Sequence, residues 1–234
     1  MNFQNKTVII TGAAGSLGQA VAATFAEAGA ARVLVDLSEQ ALQTAYPGSD
    51  PKQLLAATNL LDPAAVSRAV DAALTKFGRI DALCNIAGGF SMGTPVHATP
   101  AADWKKMWDI NAQTMLNAVQ AVVPKMLAAG GGRIVNVGAG PGQKGAALMG
   151  AYSVAKSAVV RMTEAMSAEL REQNINVNCV LPSIIDTPAN RASMPDADPK
   201  KWVAPRDLAT AIRFLCSDEA RAIHGAAIPV VGLS

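Results

Sequence analysis

Tyr152 and Lys156 have the residue types and spacing for proton transfer, in the stretch Gly150-Ala151-Tyr152-Ser153-Val154-Ala155-Lys156. Four positions apart on a helix, they share one face, one turn apart. A free phenol titrates near a pH of about 10, and an adjacent ammonium favours its phenolate. The lysine is therefore expected to pull the tyrosine down toward neutral pH, where an acid or base works best. An ordinary surface Tyr-Lys pair has the same spacing, so the assignment rests on what surrounds it.

A second chemical signature lies near the start. Thr11-Gly12-Ala13-Ala14-Gly15-Ser16-Leu17-Gly18 falls between an apolar strand and an amphipathic helix. Small residues there let backbone N–H groups approach a pyrophosphate, and the helix N-terminus adds partial positive charge. Asp36 follows 24 positions after Gly12, at the end of the next apolar run. A carboxylate there accepts hydrogen bonds from an adenosine ribose and repels a 2′-phosphate. No Arg or Lys follows it closely, and Arg32 is at the far end of the strand. NAD is thus favoured over NADP. The competing reading of Asp36 is a helix cap.

The elements that must position these residues alternate along the chain. Strands are expected at 7–11, 32–35, 54–58, 82–86, 133–137, 175–180 and 227–231. Helices are expected at 17–28, from about 38, at 62–77, 99–129 with a bend near Pro124, around Tyr152, and at 207–216. Asp62-Pro63 reads as a cap with a first-turn proline, and Gly130-Gly131-Gly132 as a helix stop. Such alternation predicts a single α/β domain over residues 1–234: a Rossmann-type, doubly wound parallel sheet of about seven strands with helices on both faces. The irregular stretch of about 186–204 is the expected substrate loop.

Composition narrows the function. Half of the 234 residues are hydrophobic and 16% are charged, as suits a sheet buried on both faces. The net charge of +2, from 20 basic and 18 acidic residues, carries no footprint for nucleic acid or an anionic membrane surface. No charge-free apolar run approaches the roughly 18 residues that would span a bilayer. Met1–Lys6 lead directly into a strand without a signal-peptide layout. Cys84, Cys179 and Cys216 are far apart among apolar neighbours and read as buried free thiols of a reducing, cytoplasmic compartment. His97 and His224 are the only histidines, so no metal site is expected.

Together these segments resemble the short-chain dehydrogenase/reductase family over nearly the whole chain. The family's glycine loop is matched at Thr11, Gly12 and Gly18, with Ser16 in place of its middle glycine and Gly15 beside it. Asn85-Ile86-Ala87-Gly88 corresponds to the family's motif after the fourth strand, Asn59 to its adenine-side acid, and Asn111 to its helix asparagine. Pro182-Ser183-Ile184-Ile185-Asp186-Thr187 corresponds to the motif after the sixth strand. The resemblance implies Tyr152 as acid/base, Lys156 on the nicotinamide ribose, and Asn111 holding a proton-relay water. It implies a cofactor held by Gly12, Gly15, Ser16, Leu17, Gly18, Asp36, Asn59, Asn85, Ala87, Gly88, Tyr152, Lys156, Pro182, Ile185 and Thr187, the last with the Ile185 backbone on the carboxamide. The implied activity is hydride transfer to a small carbonyl, alcohol or quinonoid substrate, in a homodimer or homotetramer.

One position departs. The family's catalytic serine, 13 residues before the tyrosine, is Ala139. Losing one such donor typically costs about 10²–10³ in kcat. Ser91, Gln143 and Ser183 are candidate replacements. Dihydropteridine reductase, which the segments 87–90 and 180–202 also resemble, likewise lacks the serine, and a quinonoid ring needs less polarisation than a ketone. A catalytically weak NAD-binding protein is the other alternative. Met92, Met149, Met194 and Trp202 are expected to rim the substrate cleft. Trp104 and Trp108 are expected at a core or subunit face. A hydrolase reading uses Gly89-Phe90-Ser91-Met92-Gly93 with Asp186 or Asp207 and His224, but Thr94-Pro95 follows where a nucleophile elbow requires a helix.

Overall fold

The computed structural model describes residues 1–234. Seven strands form one sheet: β1 (Thr7–Thr11), β2 (Ala31–Asp36), β3 (Gln53–Ala57), β4 (Ala82–Asn85), β5 (Gly132–Val137), β6 (Ile175–Pro182) and β7 (Ala227–Val230). Their order is β3-β2-β1-β4-β5-β6-β7, and every neighbouring pair is parallel. The order reverses between β1 and β4. In open parallel sheets that reversal leaves a crevice beyond the strand C-termini, where ligands bind.

The apolar runs dictate this architecture. All five residues of β1 and all eight of β6 are buried, as strands covered on both faces must be. Successive side chains of β1 feed opposite layers. Val8 and Ile10 join Phe25 of helix α1 (Ser16–Glu27) and Ile212 of α8 (Pro205–Leu215). Ile9 joins Val66 and Val70 of α3 (Pro63–Phe77), Val122 of α5 (Thr114–Ala128) and Val159 of α6 (Gly150–Leu170). Asp62 caps α3 by accepting from the Ala64 N–H at 2.9 Å. Ser38, not Asp36, caps α2 (Glu39–Ala45), so the capping reading of Asp36 falls.

Two expectations about helices are refined. The stretch 99–129 is helical from Ala101 to Ala128, as expected, but a π-helical turn lies inside it. It comprises α4 (Ala101–Trp108), that turn (Asp109–Gln113) and α5, which runs through Pro124 to Ala128. The wide turn closes with the Thr114 N–H donating to Asp109 O. Such insertions are rare and concentrate at functional sites; this one contains Asn111. The loop after β6 also has structure of its own: α7 (Pro188–Ser193), capped by Thr187, and a 3₁₀ turn (Pro199–Lys201). No helix is long and apolar enough to cross a membrane.

Candidate active site

The glycine loop is built by close backbone packing. Gly12 has φ +65°, and a Cβ there would lie 2.9 Å from the Ala87 backbone; one at Gly18 would lie 2.1 Å from Gly12 O. The loop after β1 thus abuts Ala87 after β4, and α1 packs onto the turn that precedes it. Thr11 Oγ1 ties the two loops further by accepting from the Ile86 and Ala87 N–H groups at 3.0 and 3.1 Å. Tyr46 Oη donates to Ala13 O at 2.7 Å, a brace that sequence reading missed because nothing in a short helix end marks a partner 33 residues away. Gly15 and Ser16 are exposed at the start of α1. Gly15 gives no side-chain cap and the first turn holds no acid, so this N-terminus is open to an external anion. Leu17 is buried beneath it.

Asp36 is half-buried at the end of β2, where its two carboxylate oxygens accept from Ala14 N–H at 2.9 Å and Leu37 N–H at 2.8 Å. The acid is thereby fixed beside the phosphate loop with lone pairs remaining for a diol. Arg32 turns away to pair with Asp50. Asn59 is exposed and its Oδ1 accepts from Leu61 N–H at 3.0 Å; the structure does not bring it into contact with the other candidates.

The catalytic candidates converge on Gly88. A Cβ there would sit 2.7 Å from Asn111 Oδ1 and 3.4 Å from Lys156 Nζ. Asn111 is buried, accepts from Gly89 N–H at 3.1 Å, and donates to Gly89 O and Met107 O at 3.0 Å each. Its side chain therefore clamps the loop after β4 to the π turn. Lys156 Nζ donates to Val137 O at 2.8 Å and lies 5.9 Å from the centre of the Tyr152 ring. The Asn85 side chain points elsewhere. Buried in the sheet, it donates to Asn136 Oδ1 at 2.8 Å, and Asn136 donates to Thr163 Oγ1 at 2.8 Å.

The electrostatics reverse one expectation. Burial pushes the Tyr152 phenol up to about 12 rather than down. Burial also pulls the Lys156 ammonium down to about 8, opposed by Cys179. Both groups are removed from water, and that desolvation, which disfavours the charged form of each, sets the direction of both shifts. The tyrosine is therefore protonated at neutral pH, and the lysine titrates about one unit above that pH.

Ala139 is buried, in extended backbone, at the entry to a 3₁₀ turn (Gly140–Gly142). That turn seats on α6 through Gly142, whose O accepts from Ser157 Oγ at 2.8 Å. None of the three replacement donors hydrogen-bonds to Ala139. Ser183 Oγ donates to Val231 O at 2.7 Å, while Ser91 and Gln143 are exposed. Phe90 instead meets Tyr152 edge to face, ring centres 5.0 Å apart, and is itself 58% exposed. Met92 is exposed, and Met149 and Met194 are half-buried. Trp202, expected at the rim, is buried, and Leu233 N–H donates to Lys201 O beside it. Trp104 is half-buried and Trp108 is 40% exposed.

Beyond β6, Pro182 is buried at the strand end. Ile185 pairs with Val203, and its O accepts from Asn190 Nδ2 at 2.8 Å. Thr187 Oγ1 accepts from Asn190 N–H at 3.2 Å. Asp186 is held by Arg191 through bonds of 2.6 and 2.7 Å, and that guanidinium lowers its carboxyl pKa. The hydrolase triad fails on topology. Ser91 follows the C-terminal end of β4, whereas His224 lies near Asn176, at the start of β6. No cluster of His, Cys, Asp and Glu is arranged to hold a metal.

A doubly wound sheet with a glycine loop, a strand-end acid and a Tyr/Lys/Asn group at its crevice defines a dinucleotide-dependent oxidoreductase class. The model of the short chain dehydrogenases matches residues 6–198. The chain belongs to the short-chain dehydrogenase/reductase family. It is 33% identical over 240 residues to cis-4-hydroxycyclohexanecarboxylate dehydrogenase of Sinomonas cyclohexanicum, covering 98% of this chain and 96% of that one. It is 31% identical to 3-oxoacyl-(acyl-carrier-protein) reductase of Thermotoga maritima, covering 99% and 98%. Among solved structures, levodione reductase superposes with TM-score 0.90 at 28% identity, over 99% of this chain and 98% of that one. NAD+-bound xylitol dehydrogenase does so with TM-score 0.90 at 27% identity, over 99% and 100%.

Proposed function

We propose that the chain is an NAD(H)-dependent oxidoreductase acting on a small carbonyl/alcohol pair or a quinonoid ring, with Tyr152 as the acid/base. The observation that carries this is the convergence of Asn111, Lys156 and Gly88, with Tyr152 on the same helix face as Lys156. The cofactor fits the residues present: the open N-terminus of α1 suits a pyrophosphate, and the fixed Asp36 carboxylate suits an unphosphorylated ribose. Gly12, Gly15, Ser16, Leu17, Gly18, Asp36, Asn59, Ala87 and Gly88 would hold the adenosine and phosphate side, with Asn85 bracing the strand end beneath them through Asn136. Lys156, Pro182, Ile185 and Thr187 would hold the nicotinamide side. When bound, the nicotinamide supplies or takes the hydride. Tyr152 donates its proton to the substrate atom that gains charge in the reducing direction and takes it back in the oxidising one. Lys156 keeps the resulting phenolate tolerable, and Asn111 fixes the loop and relay beside it.

A second reading narrows the substrate. The buried methyl of Ala139, with no hydroxyl in its place, favours an acceptor that needs one hydrogen bond, such as a quinonoid pterin. The exposed Trp108 and Val154, on α4 and α6, support a homodimer or homotetramer through that face. Calorimetric titration with NADH and NADPH, followed by turnover on ketones, alcohols and quinonoid pterins, tests the proposal. Tight NADH binding with turnover is the expected result. NADH binding without turnover on any substrate would leave a silent NAD-binding protein, and no heat with either dinucleotide would overturn the reading.

A further inference from the structure

Two of the three cysteines meet where the site does not reach. Cys84, in the middle of β4, and Cys216, closing the C-terminus of α8, lie with their sulfurs 3.8 Å apart inside the layer between sheet and α8. Both are free thiols. Cys179 belongs to a separate cluster with Val160 and Leu181. Cys216 also lines a cavity of about 130 Å³, walled by Lys6, Arg79, Asp81, Arg133 and Ser217. Lys6, Arg79, Asp81 and Arg133 precede or open strands β1, β4 and β5, so the cavity is at the end of the sheet opposite the glycine loop. Its volume is well above the roughly 10–15 Å³ that one water needs, and its walls are polar, so a small hydrophilic oxidant fits.

We infer that Cys84 and Cys216 form an oxidisable dithiol, a modification site for hydrogen peroxide and small hydroperoxides entering through this cavity, whose product is a disulfide tying β4 to the end of α8. The roles of the two thiols follow from position. Cys216 borders the cavity and is 5% exposed, which assigns it as the attacking sulfur, whereas Cys84 is fully enclosed. Burial and the neighbouring Cys216 raise the Cys84 thiol well above its ordinary value, so it stays protonated as the second partner. The Cys216 sulfur gives up its proton and attacks one peroxide oxygen, the O–O bond breaks, and the hydroxide released takes that proton to become water. This leaves Cys216 as a sulfenic acid. The Cys84 sulfur then displaces the sulfenic hydroxyl, the S–S bond forms, and the Cys84 proton leaves with that hydroxyl as a second water. Two thiols lose two electrons in all, and one peroxide gains them. Closure requires the sulfurs to approach by about 1.8 Å, to the usual bond length of about 2.05 Å.

The bond would link residues 132 positions apart, a loop long enough to raise the thermal midpoint by about 10 °C. The test uses the full chain under native conditions. It is incubated with hydrogen peroxide, blocked with iodoacetamide, digested without reductant and mapped by mass spectrometry. The expected result is a Cys84–Cys216 linked peptide and a raised midpoint that dithiothreitol reverses. In Cys84→Ala, dimedone should label Cys216 instead. If the peroxide-treated wild type keeps Cys84 and Cys216 reduced while its circular dichroism is unchanged, or links them only in urea, the inference is wrong. Oxidation confined to Cys179 would overturn it equally.

Discussion

The loop after β1 and the loop after β5 face the same crevice but are held in different ways. The first is a backbone construction. Gly12 and Gly18 are pressed against main-chain atoms, and Thr11, Tyr46 and Asp36 bond to backbone groups. The second adds side chains to one backbone contact, Gly142 against the Lys156 main chain. Ala139 presents a buried methyl, Gly142 sets the turn on α6, and Lys156 reaches back to Val137 O. A backbone cradle recognises what all dinucleotides share, so its sequence has little freedom. A side-chain wall recognises one substrate, so it can lose a serine without losing the fold.

The largest test of this contrast is Tyr152→Phe. If the tyrosine belongs only to the substrate wall, turnover should fall by about 10²–10⁴-fold while NADH affinity, followed by fluorescence enhancement, hardly changes. An equal loss of both would merge the two regions.

The next test uses the titration of Lys156. Its folded value of about 8 lies below its ordinary 10.5, so the unfolded chain binds more protons between those values. Its burial penalty is therefore complete below about pH 8 and is relieved as pH rises through the window. Urea unfolding of wild type and Lys156→Met at pH 7 and pH 10.5 should show their stability difference moving in favour of wild type by about 3 kcal/mol. A flat difference would mean that the lysine is already solvated.

Smaller effects separate the regions more finely. Ala139→Ser should raise kcat on simple ketones by up to about 10²-fold and leave NADH affinity alone, as steady-state kinetics would show; an unchanged rate would point to another donor. Asp36→Asn should act on the other side only, reducing the preference for NADH over NADPH by about tenfold, a difference of about 1.4 kcal/mol, measured as the ratio of dissociation constants.

Much of the architecture was legible because its signals are local. Apolar runs such as Ile175–Val180, the Asp62-Pro63 start and the glycine loop each carry their meaning within a few residues. The site was legible where a motif is contiguous, as in Tyr152 to Lys156. It was less so where a partner is distant. The Asn85–Asn136–Thr163 ladder joins three elements, and the π-helical turn at Asp109–Gln113 follows Asn111's bonds to Gly89 rather than the proline that draws attention in the sequence.

The sequence by itself determined the parallel α/β layering, the dinucleotide cradle, the acid at its rim and the exception at Ala139, since periodicity and short backbone motifs are written along the chain. Only the tertiary structure decided the protonation of Tyr152 and Lys156, the enclosure of Trp202, the seating of Phe90 on the tyrosine and the meeting of Cys84 with Cys216. Those depend on how much water and which distant neighbours remain around a group after folding, and spacing along a chain does not encode either.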